Sequence, residues 1–391
     1  MPVINSIADN AEEMREWRRY LHQHPELDFD CHQTAAFVVE KLKSFGITEI
    51  HEGIATSGVV AIIEGQAKGP TIGLRADMDA LPMPDMSGAE HASLVDGVSH
   101  ACGHDGHTTM LLGAARYLAE TRNFKGRVAL LFQPAEEGGG GGLVMVQEGV
   151  MDRFDISQVY ALHNAPGLPV GHIETAPGPV MAAVDKFFIK ITGVGGHAAV
   201  PELTVDPVPP ALALAQALDT ISSRNRAGAE AMVVSLAQIN AGTAFNIIAG
   251  HATLGGTVRT FTPEARDLVE RRMTEISAGI GAAFNVDVDL TYSREYPATV
   301  NHKEETLFAA GVAAEIVGEA AVSAEAAPAM VAEDFSYMLE ARPGSYLMLG
   351  QGDTPMCHHP AYDFNDDIAP IGASFFARLV ERAQPLGGDD A

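Results

Sequence analysis

The 391-residue chain is poor in several kinds of residue, and each shortage excludes a class of protein. The chain has only three cysteines, Cys31, Cys102 and Cys357. Such a small and odd number does not form a disulfide framework. Lysine and arginine total 25 against 51 aspartates and glutamates, and the net charge of −26 disfavours nucleic acid and anionic lipid as partners. No stretch approaches the roughly 20 consecutive apolar residues that a membrane span requires. We therefore expect neither a nucleic-acid-binding nor a membrane protein.

The amino-terminal residues lack the basic segment and apolar core that mark a secretory signal. Together with the sparse cysteines, this predicts a cytoplasmic protein. Apolar residues make up 47% of the chain, which is typical of a globular protein with a well-buried core. The length suggests about two domains.

Short apolar runs alternate with helical patterns in the first part of the chain. Residues 58–63, 71–75 and 128–132 are apolar runs bounded by turn residues, as expected for strands buried on both faces. Residues 108–120 have helical spacing, and residues 7–23 predict an amino-terminal helix. This alternation predicts an α/β domain with three layers around a mixed sheet, in which reactive groups gather at the carboxyl ends of strands.

The pattern changes near Val184, where partly alternating strands predict a sheet with one face in solvent. Residues 185–297 read as a β-α-β-β-α-β unit, which predicts an inserted α+β domain. After it, the apolar helices and strands of the first part return. We therefore expect one domain built from residues 1–184 and 298–391, interrupted by a second.

Cysteine, histidine and glutamate are concentrated in a few short motifs. A thiolate and an imidazole two positions apart in a glycine-containing turn suit metal binding, and adjacent carboxylates after a strand repel each other unless a cation, proton or solvent neutralises them. One such carboxylate can bind a metal while the other transfers protons. The motifs contain Cys102 with His104, Glu136 with Glu137, His163, and His358 with His359.

Two other interpretations of these motifs remain open. Cys102 can be a nucleophile with His104 or His107 as its base, although that leaves the paired glutamates unexplained. The glycine run at residues 138–142 can cradle a phosphate, but the Lys-Ser/Thr of a nucleotide loop is missing. Close backbone packing beside the glutamates is the simpler interpretation of those glycines.

Ordered motifs spread over almost the whole chain carry a resemblance to a known family. They include Leu21-His22-Gln23-His24-Pro25-Glu26, Arg75-Ala76-Asp77-Met78-Asp79-Ala80-Leu81-Pro82, His100-Ala101-Cys102-Gly103-His104-Asp105-Gly106-His107, Gln133-Pro134-Ala135-Glu136-Glu137-Gly138, Leu162-His163-Asn164, Gly195-Gly196-His197-Ala198 and His358-His359-Pro360. With them, the chain resembles the aminoacylase and hippurate-hydrolase branch of the di-metal carboxypeptidase family, which also contains carboxypeptidase G and the plant auxin-conjugate amidohydrolases. The resemblance implies a zinc-exopeptidase-like catalytic domain with an inserted ferredoxin-like lid and dimerisation domain.

The resemblance also implies roles for individual residues. Cys102 bridges two divalent metal ions, His104 and His163 complete one site, and Glu137 and His358 complete the other. Glu136 is the general base, and Asp79 orients a ligand. In the inserted domain, His197 reaches the reacting carbonyl, and Asn246 and Arg259 contact the substrate.

The implied activity is hydrolysis of N-acyl-L-amino acids, with dipeptidase or carboxypeptidase action on short peptides as the alternative. Zinc suits the mixed ligands, while manganese, cobalt and nickel fit them as well. The resemblance further implies a homodimer or homotetramer formed through the lid domain. A metal-dependent binding protein without catalysis is the competing class, although no catalytic motif position is visibly replaced.

Overall fold

The computed structural model describes residues 3–226, 228 and 230–387, and its chain forms two compact units. The first unit contains the residues up to Val180, then Val300–Ala327, and then Asp334 onward. The second contains Met181–Thr299 and Pro328–Glu333. The first two and last four residues of the predicted catalytic domain lie outside the described residues.

Strands and helices alternate along the chain. The strands are β1 Glu49–Ile54, β2 Gly58–Glu64, β3 Thr71–Asp77, β4 Arg127–Gln133, β5 Ile156–Pro166, β6 Ile173–Glu174, β7 Gly178–Met181, β8 Ala183–Thr192, β9 Gly196–His197, β10 Met232–Ala241, β11 Ile247–Ile248, β12 His251–Thr260, β13 Asp287–Arg294, β14 Thr299–Asn301, β15 Val322–Ser323 and β16 Gly344–Gly352. The helices are α1 Asn5–Asp9, α2 Ala11–Gln23, α3 His32–Ser44, α4 His104–Thr121, α5 Gly141–Gln147, α6 Val150–Arg153, α7 Val208–Thr220, α8 Pro263–Phe284, α9 Lys303–Val317, α10 Ser336–Ala341 and α11 Ala369–Ala383. Short 3-10 turns occupy Pro201–Leu203, Glu319–Ala321 and Asp366–Ile368, and a π turn occupies Ile221–Asn225.

The first unit is built on an eight-stranded mixed sheet, in the order β1-β2-β4-β3-β5-β16-β6-β15. Strands β4, β3, β5 and β16 are parallel neighbours. Strand β1 pairs antiparallel with β2, β2 with β4, and β6 with β16, whereas β15 pairs parallel with β6. The predicted α/β class with a mixed sheet is therefore confirmed. The parallel strands carry their carboxyl ends to one edge of the sheet.

The core of the first unit forms because its central strands are apolar on both faces. Every residue of β3 is buried, and alternate residues of β2, β3 and β4 pack in one cluster with α2, α3, α4 and α11. Most of the residues between these in β2 and β4 are buried as well. Helix α5 contacts β4, and α6 contacts β5. No helix among the described residues is long and apolar enough to cross a bilayer.

The second unit has the element order β8-α7-β10-β12-α8-β13 around a four-stranded sheet. Its strands are antiparallel in the order β10-β12-β8-β13. Burial alternates along β8, so one face of the strand packs against α7 and α8 while the other faces solvent. Helix α8 begins at Pro263 and is capped by Thr262, whose hydroxyl accepts from the Ala265 amide at 3.2 Å.

Two sequence-based expectations were wrong in detail. The single helix expected at residues 7–23 is divided into α1 and α2 at Asn10, whose side-chain amide donates to the Ser6 carbonyl at 2.8 Å and competes with helical bonding. His163, expected at the end of a strand, lies inside β5. The strand continues to Pro166 because β16, from much later in the chain, pairs with it and places Met348 opposite His163.

Candidate metal centre and catalytic site

The sheet of the first unit places the candidate site. Strands β3, β4 and β5 end at the same edge because they are parallel. Asp79 comes directly after β3, Glu136 and Glu137 follow β4, and His163 lies near the end of β5. Side chains from three separate parts of the chain therefore meet at this edge.

Gly103 shapes the turn that presents Cys102 and His104. Its φ of 95° is in the left-handed region that favours glycine. A Cβ atom at this position would lie 2.4 Å from Asn164 Oδ1 and 2.5 Å from the Tyr362 hydroxyl. Glycine is therefore required here, and α4 begins at once with His104.

The structure brings the five candidate ligands together in two triads that share Cys102. The ligand atoms of Cys102, His104 and His163 all lie within 4.8 Å of one another, as do those of Cys102, Glu137 and His358. The ligand atoms of Glu136, His104 and Glu137 also lie within 4.8 Å of one another.

Each histidine of the first triad is held through the ring nitrogen that faces away from the cluster. His104 Nδ1 lies 2.8 Å from the Asp79 carbonyl, and its buried Nε2 has no hydrogen-bond partner among the described residues. His163 Nδ1 lies 2.7 Å from the Asn164 carbonyl, and its Nε2 lies 3.5 Å from Cys102 Sγ. Metal-binding histidines are usually oriented in this way.

Asp79 fixes the paired glutamates through their backbone. Its two carboxylate oxygens accept from the Glu136 amide at 2.9 Å and the Glu137 amide at 3.0 Å. Because its carbonyl oxygen also accepts from His104, one residue sets the positions of three candidate site residues.

The charges in the cluster favour protons or cations at its centre. A hydrogen bond to Cys357 and burial, together with the charge of Glu137, raise the pKa of the Cys102 thiol well above its ordinary value. Burial alone would lower the pKa of His104, but the charge of Asp77 and the hydrogen bond to Asp79 raise it well above its usual range. Burial and the charge of His107 hold the pKa of His163 well below its usual range, which favours the neutral imidazole that metals bind.

These observations fit divalent metal ions. His104 Nε2, which has no hydrogen-bond partner in the described part of the chain, lies near the Cys102 thiol and the Glu137 carboxylate. Thiolate, imidazole and carboxylate are the donor types that zinc accepts. Cysteine binds a metal as its thiolate and histidine as the neutral imidazole, so metal affinity at such a cluster depends on pH.

The structure distinguishes the two adjacent histidines near the carboxyl end of the chain. His358 Nε2 lies 3.3 Å from Glu137 Oε1. His359 instead accepts from the Ala361 amide through Nδ1 at 3.1 Å, outside the cluster. The backbone of His358 is in the left-handed region, with φ at 65°. The side chains of His358 and His359 therefore point in different directions.

The remaining candidate residues lie in the second unit. His197 is in β9 and pairs with Ile247 of β11, directly after Asn246, whose carbonyl accepts from the Ala198 amide at 3.1 Å. His197 and Asn246 are thus close neighbours, and both are exposed. Arg259 is half-buried in β12, where one guanidinium nitrogen donates to the Val258 carbonyl at 3.1 Å.

Sequence reasoning missed a buried network behind the cluster. His107 Nδ1 lies 2.5 Å from Asp77 Oδ1, and its Nε2 lies 2.6 Å from Asn164 Oδ1. The Asn164 side-chain amide donates to the Tyr362 hydroxyl at 2.7 Å and faces Cys357 Sγ at 3.7 Å. His107, Asp77 and Asn164 all lie in motifs that carry the family resemblance, but nothing local in the sequence indicates that they contact one another.

Comparison with known proteins gives consistent matches over nearly the whole chain. The model of Peptidase family M20/M25/M40 matches residues 73–382. The hippurate hydrolase of Campylobacter jejuni is 39% identical over 380 residues, covering 97% of this chain and 99% of the relative. The N-acetyl-L-cysteine deacetylase of Bacillus subtilis is 40% identical over 371 residues, covering 94% and 87%. The crystal structure of Bacillus subtilis YXEP, a dinuclear metal-binding peptidase, superposes with a TM-score of 0.85 at 33% identity, covering 96% and 99%.

The Asn164 network generates a stability prediction. Replacing Asn164 with alanine removes the side-chain partner of His107 Nε2 and the donor to the Tyr362 hydroxyl. His107 keeps its bond to Asp77 and Tyr362 its bond to Gln351, so the free energy of unfolding should fall by about 1–3 kcal/mol. Denaturant unfolding of the Asn164→Ala protein measures this loss. The control is Asn123→Ala, which removes an exposed amide that donates to Glu381 at 3.3 Å and should cost less than about 0.5 kcal/mol. Equal losses in the two variants would contradict the assignment.

Proposed function

The chain belongs to Peptidase family M20/M25/M40, and on that basis we propose that it is a metal-dependent amidohydrolase that cleaves N-acyl-L-amino acids into a carboxylic acid and a free amino acid. The observation that carries the proposal is the cluster of one thiol, three imidazoles and two glutamates at the sheet edge. The names of the two curated relatives support the substrate class, since both denote cleavage of an N-acyl amino acid.

We assign two divalent ions to the cluster, most suitably zinc. Cys102 is the shared ligand because it is common to both triads. His104 and His163 complete one site, and Glu137 and His358 complete the other. The dinuclear relative supports two ions, and the mixture of sulfur, nitrogen and oxygen donors favours zinc, with manganese, cobalt and nickel as alternatives.

Two such ions would supply Lewis-acid activation of a water and of the amide carbonyl. Glu136 removes the proton from the attacking water and then delivers it to the leaving amine. Its placement next to Glu137 and His104 supports this role, and its backbone is held by Asp79. The hydrogen bonds to Asp79 and Asn164 keep His104 and His163 aligned throughout the reaction.

The second unit acts as a lid in this proposal. His197 stabilises the oxyanion formed at the reacting carbonyl, while Asn246 and Arg259 contact the substrate carbonyl or carboxylate. The adjacency of His197 and Asn246 across β9 and β11 supports their acting on one group. A guanidinium is suited to a carboxylate, which every N-acyl amino acid carries.

Glu136 can be tested by a near-isosteric substitution. Glu136→Gln keeps the shape of the side chain but cannot accept the proton, so kcat should fall by about 10²–10⁴ or more. Metal content, measured by mass spectrometry of the bound elements, should not change. Glu52→Gln, on an exposed part of β1, is the matched control and should keep full activity. Substantial turnover by the Glu136 variant would remove this residue from the role of base.

The substrate class is tested by measuring released amine. Hippurate and the N-acetyl and indole-acetyl derivatives of several amino acids should be cleaved by metal-reconstituted enzyme, whereas dipeptides should be poor substrates. A chelated sample should be inactive and should recover when metal is restored. Preference for dipeptides would instead establish a peptidase. Loaded metal sites with no hydrolysis of any amide would indicate a binding protein.

We also propose a cytoplasmic homodimer formed through the second unit. Strand β10 is at an edge of the sheet, and exposed edges pair readily. Large apolar side chains are exposed on the same unit, which is typical of an interface. They include Leu203, Leu212, Phe245 and Ile247.

Sedimentation velocity tests the dimer. Leu212→Glu, on α7, should raise the dimer dissociation constant at least about tenfold by placing a charge in an apolar contact. Leu307→Glu alters a similarly exposed leucine on α9 of the first unit and should leave the dimer intact. A monomeric wild-type protein, or equal effects of both variants, would contradict this interface.

A further inference from the structure

Two of the three cysteines lie side by side, although 255 residues separate them in the chain. Cys357 Sγ lies 3.8 Å from the Cys102 carbonyl oxygen, so the two cysteines are in direct contact. The backbone supports this approach, because the His358 amide donates to the Ala101 carbonyl at 2.8 Å. The two cysteine-bearing segments are therefore held against each other independently of the sulfur atoms.

The two thiols differ in their access to solvent. Cys102 is buried, whereas Cys357 is partly exposed and its sulfur also faces the Asn164 amide at 3.7 Å. A small oxidant therefore reaches Cys357 first. Cys31, the third cysteine, is buried elsewhere, with its sulfur 3.3 Å from the Asp28 carbonyl.

We propose that Cys102 and Cys357 form a reversible disulfide, and that its formation withdraws Cys102 from the metal centre. The assignment of Cys102 as a ligand rests on the proposed function, whereas the disulfide itself rests only on the contact between the two cysteines and their backbone segments. Because the thiolate is the form of cysteine that binds metal, a Cys102 sulfur bonded to Cys357 no longer holds the two ions. Cys357 is thus a modification site that controls metal retention.

Hydrogen peroxide is the oxidant in this reaction. The Cys357 sulfur attacks one peroxide oxygen, the O–O bond breaks, and a sulfenic acid and one water form. The Cys102 sulfur then attacks the Cys357 sulfur, the S–O bond breaks, and a second water leaves as the disulfide forms. Two thiols and one peroxide give one disulfide and two waters, with two electrons passing from sulfur to oxygen. A dithiol reverses the change by thiol–disulfide exchange.

The test uses the full-length, metal-loaded protein treated with hydrogen peroxide. Peptide mapping without reduction should recover a linked pair containing Cys102 and Cys357, and the intact mass should fall by about 2 Da for the two hydrogens lost. A colorimetric chelator should report release of metal in step with the linkage. Dithiothreitol followed by added metal should reverse both changes.

Variants separate this disulfide from general oxidative damage. Cys357→Ser should keep its metal content and should release metal at least about tenfold more slowly under peroxide, because no second sulfur can complete the bond. Cys357→Val serves the same purpose if the serine protein folds poorly. Cys31→Ser should behave like the wild type. Absence of the linked peptide from wild-type protein, or equal metal release from the Cys357 variants, would overturn the proposal.

Different results would refute the proposed function and the proposed disulfide. A reduced protein that hydrolyses no amide but still forms the linkage and releases metal would refute the proposed function and leave the redox inference standing. An active enzyme that forms no Cys102–Cys357 linkage would refute only the inference.

Discussion

The candidate site depends most on the hydrogen bonds that Asp79 accepts from its neighbours. Its carboxylate accepts the backbone amides of Glu136 and Glu137, and its carbonyl accepts the His104 imidazole. These bonds join the segment after β3, the segment after β4 and the first turn of α4. Two adjacent glutamates would otherwise separate, since their like charges repel.

A network of buried, oppositely charged side chains lies beneath the candidate site. Asp77 is fully buried between Arg75 and His107, and burial alone would raise its pKa, but the charge of Arg75 and of the neighbouring imidazoles lowers it well below its usual value. Arg75 in turn contacts Asp334, which accepts from the Gln133 side chain. This network neutralises the charge beneath the cluster and leaves the unpartnered Nε2 of His104 facing the thiol and carboxylate. Partially satisfied polar groups are costly when buried, so the unpartnered nitrogen is evidence for a ligand.

The sequence predicted those parts of the molecule whose signals are local. The partly alternating pattern near Val184 predicts a strand with one face in solvent, and burial alternates along β8 in that way. The strands that carry the candidate residues could be read from continuous apolar runs. The extension of β5 past His163 could not, since it depends on pairing with β16 nearly 200 residues later. The contacts of Asn164 and Cys357 likewise join distant segments, and neither residue carries a local signal of its role.

The discontinuity of the first unit gives the site a defined order of assembly during synthesis. Four of the five ligand candidates precede residue 164, and the triad of Cys102, His104 and His163 is complete before the second unit is made. His358 and strand β16 follow only after that unit, on the order of ten seconds or more later at the usual rate of translation. Until then, β5 has an open edge where β16 will insert. On the proposed ligand assignment, the residues of one ion site are thus made early, while the other site and the closed sheet await the same carboxyl-terminal segment.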